Sequence, residues 1–454
     1  MQQRRVNFHT LGCKLNFSES STLAREFEEG GFVRVAPDAE ADICVVNSCS
    51  VTEHADKKCR NLIRKLHRRN PGAIIAVTGC YAQLKPQEIA AIEGVDIVVG
   101  NNDKGDLYKR VLELPGKGRA QVYSCDADLY KRVLELSGKG RAQVYSCDAD
   151  SLTSFFAAFS SGDRTRAFLK VQDGCDYKCA YCTIHYARGG SRNMPVADLV
   201  AEARRIAAAG QKEIVLTGVN TGDFGRTTGE KFIDLLRALD GVDGIERYRI
   251  SSIEPNLLTD EIIAFCAASP KFQHHFHIPL QSGSDKILGL MRRRYTTARF
   301  ADRIAAVRAL MPDAFIGIDV IVGFPGETEE DFRTTYDFLA GLEPAFLHIF
   351  PFSERPGTPA VEMPGKVQAS VATRRAAQLE ALCAKLHAAF CARAVGSEDS
   401  VLFESTRRGG MMFGFTGNYR RVKAPYDKAR VNTVCRVRLG AMDESHDLMG
   451  EIRD

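Results

Sequence analysis

The chain alternates short apolar runs with amphipathic stretches over most of its length, and this alternation constrains the fold more than any other feature. Apolar runs of strand length lie at residues 43–47, 73–78 and 96–100, and helical patterns follow two of them at 52–69 and 86–92. Buried strands that alternate with helices are typical of a parallel sheet with helices packed on it. We therefore predict an α/β fold whose N-terminal domain, residues 1–160, is built on a parallel sheet.

This first domain contains an internal repeat. Residues 107–128 and 129–150 are tandem copies that differ only at Pro115 and Ser137. The repeats of solenoid proteins drift in sequence and usually number at least three, so we interpret the pair as a recent duplication or an assembly error. Each copy is predicted to contain the end of a helix, a Gly turn and a short strand. We expect one copy to dock in the domain and the other to form a surface excursion.

Strand and helix patterns resume after residue 165 and continue for six units. The predicted strands lie at 167–171, 213–217, 247–251, 275–278, 317–322 and 346–350. Helical stretches such as 197–209 and 298–310 separate them. Six such units predict a partial (β/α)6 barrel, whose active site would lie at the carboxyl ends of the strands.

The end of the chain has a different pattern. A long helical stretch at about 368–394 closes the second domain, which we place at residues 161–395. Residues 396–454 carry short strands and Gly turns, a pattern that predicts a small C-terminal β-barrel. The predicted architecture is thus a parallel-sheet domain, a partial barrel and a small β-barrel.

The composition of the chain indicates the cellular compartment in which the protein folds. The chain is 44% hydrophobic and 26% charged, as in ordinary globular proteins, and its net charge of +4 does not by itself indicate a polyanionic partner. No run approaches the roughly 18 apolar residues of a membrane span, and residues 1–8 lack the apolar stretch of a signal peptide. We therefore expect no membrane partner and a reducing cytoplasm. In that compartment, fourteen cysteines indicate metal ligation or catalysis rather than disulfides.

Three cysteines share one loop. Cys175, Cys179 and Cys182 are spaced CxxxCxxC directly after the first predicted barrel strand. Three thiolates can hold three irons of a [4Fe–4S] cube and leave the fourth iron without a protein ligand. Such an iron can bind the amino and carboxylate groups of S-adenosylmethionine (SAM). One electron from the reduced cluster can then cleave the sulfonium of the bound SAM. A zinc site would normally need a fourth ligand.

A second set of cysteines is dispersed in the sequence. Cys13, Cys49 and Cys80 each follow a Gly or Ser at the end of a predicted strand. The carboxyl ends of parallel strands lie on one edge of a sheet, where ligands bind, so these thiols can converge on a second cluster. The alternative is three packed core cysteines. The remaining eight are interpreted as packing or surface residues: Cys44, Cys59, Cys125, Cys147, Cys266, Cys383, Cys391 and Cys435.

Polar residues at other barrel strand ends are candidates for contact with SAM. They are Gly218, Asn220, Ser251, Glu254, Gln281 and Ser282. Glycine permits close approach of the backbone to a ligand. For each residue alone, turn chemistry or helix capping is the competing interpretation.

Two basic stretches are candidates for contact with RNA. Lys57, Arg60, Arg64 and Arg68 follow helical spacing and share one face, which could meet phosphates or be merely solvated. The second stretch lies in the C-terminal domain and contains Arg407, Arg408, Arg420, Arg421 and Lys423. Aromatic residues are interleaved with it, and basic and aromatic residues together suit contacts with the RNA backbone and base stacking.

The loop at 174–182 resembles the radical SAM superfamily, and the chain resembles its methylthiotransferases over nearly its whole length. That family combines an N-terminal methylthiotransferase domain, a radical SAM barrel and a C-terminal TRAM-like domain. Within it, LGCKLN at 11–16 and NSCSVTEHADKKCR at 47–60 are similar to the MtaB subgroup. The subgroups that act on isopentenyladenosine or on a ribosomal protein tend to differ at these stretches.

The resemblance implies an enzyme that converts N6-threonylcarbamoyladenosine at tRNA position 37 to its 2-methylthio derivative. It implies two [4Fe–4S] clusters and two uses of SAM, one to methylate sulfur at the second cluster and one to generate a radical. Adenine carbon 2 carries no acidic proton, so no side chain is assigned as a catalytic acid or base.

The implied partners are tRNA and an electron donor such as flavodoxin or ferredoxin, and the sulfur donor stays open. Three alternatives also stay open. The substrate could be another tRNA base or a ribosomal protein, or the chain could be a non-catalytic iron–sulfur protein that binds RNA.

Overall fold

The computed structural model describes residues 3–114, 122–124, 142–162 and 164–453. The N-terminal region is a seven-stranded parallel sheet in the order β2-β1-β3-β4-β5-β7-β6. Its strands are β1 (Arg5–Thr10), β2 (Val33–Arg34), β3 (Ile43–Ser48), β4 (Ile74–Gly79), β5 (Ile97–Val99), β6 (Val122–Ser124) and β7 (Gln143–Ser146). The helices are α1 (Lys14–Glu29), α2 (Glu53–Arg69), α3 (Cys80–Leu84), α4 (Pro86–Ala90) and α5 (Leu107–Leu112). The predicted parallel sheet is confirmed.

Local sequence explains the helix starts in this region. Thr52 precedes α2 in an extended conformation, and its hydroxyl accepts a hydrogen bond from the Ala55 amide at 3.2 Å. Pro86 opens α4, where its missing amide hydrogen would have had no helical partner. Ile63 and Leu66 bury one face of α2 against the sheet, while Arg64 and Arg68 on its other face are exposed.

The tandem repeat contributes to the sheet in a way that differs from our expectation. Leu107 and Val111 of α5, in the first copy, are buried in the core, and so is the strand β7 of the second copy. The equivalent strand of the first copy, β6, pairs with β7 in parallel at the sheet edge. Each copy therefore contributes one strand to the sheet, and the two strands of identical sequence pair with each other. The rest of the segment between 115 and 141 lies outside the described residues.

The central region is the expected partial barrel. Its strands are β8 (Arg166–Lys170), β9 (Glu213–Thr217), β10 (Arg247–Ile250), β11 (His275–Gln281), β12 (Phe315–Val322) and β13 (Phe346–Pro351). They form two parallel three-stranded sheets, β8-β9-β10 and β11-β12-β13, which parallel bridges at Tyr248–Phe272 and Ser252–His277 join. The helices are α6 (Ile184–Arg188), α7 (Val196–Ala208), α8 (Phe232–Asp240), α9 (Asp260–Ala268), α10 (Asp285–Leu290), α11 (Thr297–Leu310) and α12 (Glu329–Leu342).

The long helix α13 (Ala369–Ala392) leads into the C-terminal region. There β14 (Glu398–Arg408), β15 (Met411–Thr416), β16 (Arg421–Pro425), β17 (Val434–Met442) and β18 (Leu448–Arg453) close into a five-stranded barrel. Val401, Phe403, Val422 and Val437 are fully buried in its core. The predicted small β-barrel is confirmed. In the described part of the chain, no helix combines the length and the apolar character that crossing a membrane requires.

Candidate active site

The dispersed cysteines meet at one edge of the N-terminal sheet. Cys13 follows β1, Cys49 follows β3 and Cys80 follows β4, and these three strands are adjacent and parallel. The backbone of Gly12 lies against Cys49, since a Cβ atom built on this glycine would approach the Cys49 Sγ to 2.8 Å. Gly12 also has a φ of +102°, a conformation that favours glycine. The fold therefore brings together the three thiols that are far apart in sequence, which we call the sheet triad.

The electrostatics of the sheet triad show that its thiols interact. Desolvation and the nearby thiol of Cys80 raise the pKa of Cys49 to about 12. Desolvation also raises the pKa of Cys13, and the guanidinium of Arg188 opposes this rise. Iron ligation requires thiolates and releases their protons, so a metal would reverse this protonation. Three converging thiols beside a buried cation suit an anionic iron–sulfur cluster.

The loop cysteines, Cys175, Cys179 and Cys182, form the second set, which we call the loop triad. They lie between β8 and α6. The Cys175 sulfur accepts a hydrogen bond from the Tyr177 amide and the Cys182 sulfur accepts one from the Ile184 amide, both at 3.4 Å. Desolvation raises the pKa of both Cys175 and Cys182 to about 12. Backbone amides that point at the sulfurs would stabilise thiolates bound to iron.

The loop triad lines a cavity that the N-terminal region also lines. All three cysteines of the loop triad line a cavity of about 340 Å³ at the carboxyl ends of the barrel strands. Val51 and Thr52, which follow Cys49 closely in sequence, line the same cavity from the N-terminal region. The ligand-binding edge of the sheet therefore faces the mouth of the barrel.

The cavity contains part of the predicted SAM site. Asn220, Glu254 and Gln281 line it, whereas Gly218, Ser251 and Ser282 are not among its lining residues. The Nδ2 atom of Asn220 is buried and has no hydrogen-bond partner among the described residues. A buried polar atom rarely lacks a partner, so this amide fits a site that holds a polar ligand.

The other three predicted SAM contacts do not line the cavity. The hydroxyls of Ser282 and Thr335 lie 3.3 Å apart, and the amide of Ser284 donates to Ser282 at 3.2 Å. A side chain at Gly218 would contact the Gln172 Oε1 at 2.9 Å. The Ser251 hydroxyl is buried without a hydrogen-bond partner in the described part of the chain. Gly218 and Ser282 therefore support the wall of the site, whereas the hydroxyl of Ser251 stays available to a polar ligand.

Sequence reasoning missed Arg293. Its Nη1 atom donates to the Cys179 sulfur at 3.0 Å, and its Nη2 atom forms an ion pair with Glu254 that is shielded from solvent. Arg293 therefore joins the loop triad to a predicted SAM contact. No local signal marks it, because it lies within a run of three arginines, 292–294, between two helices.

A buried ion-pair network joins the two triads. Glu19 on α1 contacts Lys104 at 2.5 Å, Lys170 at 2.9 Å and Arg188 at 3.0 Å. Arg188, which ends α6 after the loop triad, also contacts Asp173 at 2.9 Å, and it donates to the Asn16 Oδ1 at 2.7 Å. Asn16 in turn donates to backbone carbonyls on both sides of the sheet-triad edge, at Leu11 and Ser48. The network fixes the two regions against each other.

Comparisons with known proteins agree with this geometry. Residues 5–100 match the family described as "Uncharacterized protein family UPF0004", and residues 169–339 match the radical SAM superfamily. The threonylcarbamoyladenosine tRNA methylthiotransferase MtaB of Bacillus subtilis is 39% identical over 96% of this chain and 93% of its own length. That of Thermotoga maritima is 36% identical over 97% of this chain and 95% of its own. The chain belongs to the MtaB-type tRNA methylthiotransferase family.

Membership of this family confirms the predicted enzyme class. As a radical SAM enzyme, the chain uses SAM and [4Fe–4S] chemistry. A solved structure of the radical SAM methyltransferase TsrM from Kitasatospora setae has a TM-score of 0.57 at 14% identity and covers 90% of this chain and 79% of its own, which supports the fold. The MtaB-type chain also shares 34% identity over 99% of both chains with a tRNA-2-methylthio-N(6)-dimethylallyladenosine synthase of Cereibacter sphaeroides.

Some of the predicted RNA contacts are exposed to solvent, whereas others form ion pairs with acidic residues of the chain itself. On α2, Lys57, Arg64 and Arg68 are exposed. Arg60, in contrast, forms ion pairs with Glu53 and Glu88, both at 2.9 Å. The acidic partner Glu88 comes from α4, which a reading of α2 alone does not reveal.

In the C-terminal barrel, Arg407 and Arg408 are exposed, whereas Arg421 and Lys423 form ion pairs with Asp447 and Asp443. The prediction for Arg420 is wrong. Arg420 is buried, contacts both oxygens of Asp313 at 2.6 and 2.7 Å and donates to the Phe390 carbonyl. It anchors the small barrel to the central one and is inaccessible to RNA.

Proposed function

We propose that this MtaB-type enzyme converts N6-threonylcarbamoyladenosine at tRNA position 37 into its 2-methylthio derivative. The observation that carries the proposal is that the fold assembles two cysteine triads, one at adjacent strand ends of the N-terminal sheet and one in the cavity at the carboxyl ends of the barrel strands. In the proposed reaction each triad holds a [4Fe–4S] cluster and two SAM molecules are consumed. Bound SAM supplies a carbon radical at one site and a methyl group for sulfur at the other.

The side chains of the central site have separate tasks in this proposal. Cys175, Cys179 and Cys182 hold the cluster that binds SAM. Arg293 donates to the Cys179 sulfur and keeps Glu254 in place through their ion pair. The free amide of Asn220, together with Glu254 and Gln281, orients SAM from the cavity wall.

The sheet triad, Cys13, Cys49 and Cys80, holds the second cluster on the N-terminal side. Its position at adjacent strand ends keeps it at a fixed distance from the loop triad, because the Glu19–Arg188 network joins the two regions. We assign residues 1–160, 161–395 and 396–454 to three domains that follow this division of tasks. We propose that the exposed basic side chains contact tRNA phosphates. These are Lys57, Arg64, Arg68, Arg407 and Arg408.

A low-potential donor such as flavodoxin or ferredoxin is proposed to reduce the cluster of the loop triad in the cytoplasm. The experiment that tests the function is mass spectrometry of tRNA nucleosides from cells with and without the gene. Loss of the 2-methylthio nucleoside, with accumulation of N6-threonylcarbamoyladenosine, is the expected result. Complementation with Cys13→Ala should fail to restore it.

Other outcomes of the same measurement identify other substrates. An unchanged level of that nucleoside in the deletion strain overturns the proposed substrate. Loss of a 2-methylthio-isopentenyl nucleoside instead would assign a different base, and a missing methylthio mass on a ribosomal protein would assign a protein substrate.

A further inference from the structure

A second cavity lies beside the sheet triad, with Cys13 among its lining residues. It has a volume of about 290 Å³, near the lower end of the range of small-ligand pockets, about 300–1,000 Å³. Gly12, Cys13 and Lys14 line it from the N-terminal region, and Tyr419 lines it from the C-terminal barrel. The central barrel contributes Arg166 and Arg249, among others. All three regions of the chain therefore meet at this cavity.

The cavity is cationic. Four basic side chains, those of Lys14, Arg164, Arg166 and Arg249, line it, and no carboxylate is among its lining residues. Two of these charges are compensated by nearby acids, since Arg249 contacts Glu213 at 2.7 Å and Arg166 contacts Glu404 at 3.1 Å. The basic lining is thus only partly neutralised by the protein.

The other two cations form no close ion pair among the described residues. Desolvation lowers the pKa of the Lys14 ammonium group, and Asp319 lies near enough to oppose this lowering. Among the described residues, neither Lys14 nor the guanidinium of Arg164 forms an ion pair or a side-chain hydrogen bond, and Arg164 lies over the ring of Phe17 at 4.4 Å. Both residues are exposed to solvent, so their charges are available to a ligand that enters the cavity. Cationic side chains that line a cleft attract anionic ligands. The cavity next to Cys13 is therefore suited to an anionic group that the chain itself does not supply.

The proposed substrate carries such a group. A threonylcarbamoyl substituent ends in the carboxylate of threonine, whereas a dimethylallyl substituent has no charge. Carbon 2 of adenine and its N6 atom both lie on the Watson–Crick edge of the base. A base that presents carbon 2 to the sheet triad therefore directs its N6 substituent along the neighbouring wall, where Lys14 follows Cys13 directly in sequence.

We propose that this cavity is the subsite for the carboxylate of the N6-threonylcarbamoyl group, with Lys14 as the specificity-determining residue and Arg164 as a second cation. The proposal rests on the proposed function and names the part of the substrate that the enzyme reads. Charge-assisted hydrogen bonds of this kind are about twice as strong as neutral ones, which gives discrimination between acid and neutral substituents.

The test compares two synthetic anticodon stem-loops, one with N6-threonylcarbamoyladenosine at position 37 and one with its carboxamide analogue. Wild-type enzyme should favour the carboxylate by about 10- to 100-fold in kcat/KM. Lys14→Gln should reduce that preference to nearly one by losing activity on the carboxylate alone. Lys385→Gln, which changes an exposed lysine on α13, is the matched control and should keep the wild-type preference.

Affinity provides a readout that is independent of turnover. Fluorescence anisotropy of the labelled stem-loops should show the same preference for the carboxylate in wild-type protein and its loss in Lys14→Gln. Equal binding of both stem-loops by the wild type would overturn the proposal and leave the proposed function intact. If Lys14→Gln weakens both substrates equally, Lys14 serves a phosphate or the cluster, and the proposal is also wrong.

A third outcome concerns the proposed function itself. A wild-type enzyme that binds and converts neither stem-loop, yet restores a different methylthio nucleoside in cells, would contradict the substrate assignment, and the carboxylate subsite would fall with it. Iron content of Lys14→Gln equal to that of the wild type excludes a loss of the neighbouring cluster as the cause of any change.

Discussion

The two cysteine triads bring three thiols together by opposite means. The loop triad comes from eight consecutive residues, 175–182, and its geometry is set by one loop. The sheet triad comes from three strands, and it exists only when β1, β3 and β4 are paired in the correct order. A local site tolerates changes elsewhere in the fold, whereas a site assembled from several strands depends on the whole sheet. The difference predicts how each site responds to mutation.

The largest expected effect distinguishes the chemical tasks of the triads. Cys179→Ala should abolish both 5′-deoxyadenosine release from SAM and methylthiolation, because the cluster that binds SAM loses a ligand. Cys13→Ala should abolish methylthiolation but retain 5′-deoxyadenosine release. Chromatography of the reaction products measures both. Cys266→Ala, at a buried cysteine of α9 outside both triads, is the control and should retain both activities. Identical product patterns for the two triad variants would contradict separate tasks.

The next effect tests the connection between the triads. Glu19→Gln leaves Lys104, Lys170 and Arg188 without their shared carboxylate, and all four side chains are about 1% exposed. Removing one partner of a buried ion pair costs about 3–5 kcal/mol of unfolding free energy. Urea denaturation measures the loss. Glu354→Gln, which breaks the exposed pair with Lys366, should cost less than about 1 kcal/mol.

The pH dependence of the unfolding free energy tests whether the charge of Glu19 causes the loss of stability in Glu19→Gln. Desolvation alone would raise the pKa of Glu19, but Arg188, Lys104 and Lys170 outweigh it and hold the pKa well below its ordinary value of 4.5. A lowered pKa in the folded state contributes stability above pH 4.5 that is lost as the pH falls below it. Wild-type stability should therefore fall more steeply below pH 4.5 than that of Glu19→Gln. Parallel curves would show that Glu19 is not the titrating group.

A smaller effect is expected at the loop triad. Arg293→Lys removes the planar guanidinium that contacts both the Cys179 sulfur and Glu254. Loss of a residue that supports a metal ligand typically reduces activity about 10- to 100-fold. The midpoint potential of the cluster should shift as well, since a hydrogen bond to a ligand sulfur is removed. Arg294→Lys, on the neighbouring exposed residue, should leave the potential unchanged.

The smallest effect concerns the RNA contacts proposed for α2. Arg64→Gln and Arg68→Gln should each reduce the slope of log affinity against log salt by about 0.7–0.9, if each side chain meets one phosphate. Arg60→Gln should change the slope less, because Arg60 is already paired with Glu53 and Glu88. Filter binding of tRNA at several salt concentrations measures the slopes. Equal slopes for all variants would remove α2 from the RNA surface.

The comparison also shows what the sequence could predict. Strand and helix alternation predicted the parallel N-terminal sheet and the partial barrel, because apolar runs of strand length are a local signal. The loop triad was visible as a motif, and the sheet triad was visible because each cysteine follows a strand. In contrast, Arg293 and Glu19 act through partners that are distant in sequence, and no periodicity marks them. Arg420 has the same residue type as the exposed residue that follows it, yet it is buried and contacts Asp313 and Phe390, which are distant in sequence.

The most direct test of the account is the iron content of anaerobically reconstituted protein. Two [4Fe–4S] clusters correspond to about eight irons per chain. Replacing the three cysteines of either triad with alanine should leave about four, with the Mössbauer signature of one remaining [4Fe–4S] cluster. A wild-type protein that holds only about four irons, or a sheet-triad variant that keeps about eight, would contradict the central claim that both triads are cluster sites.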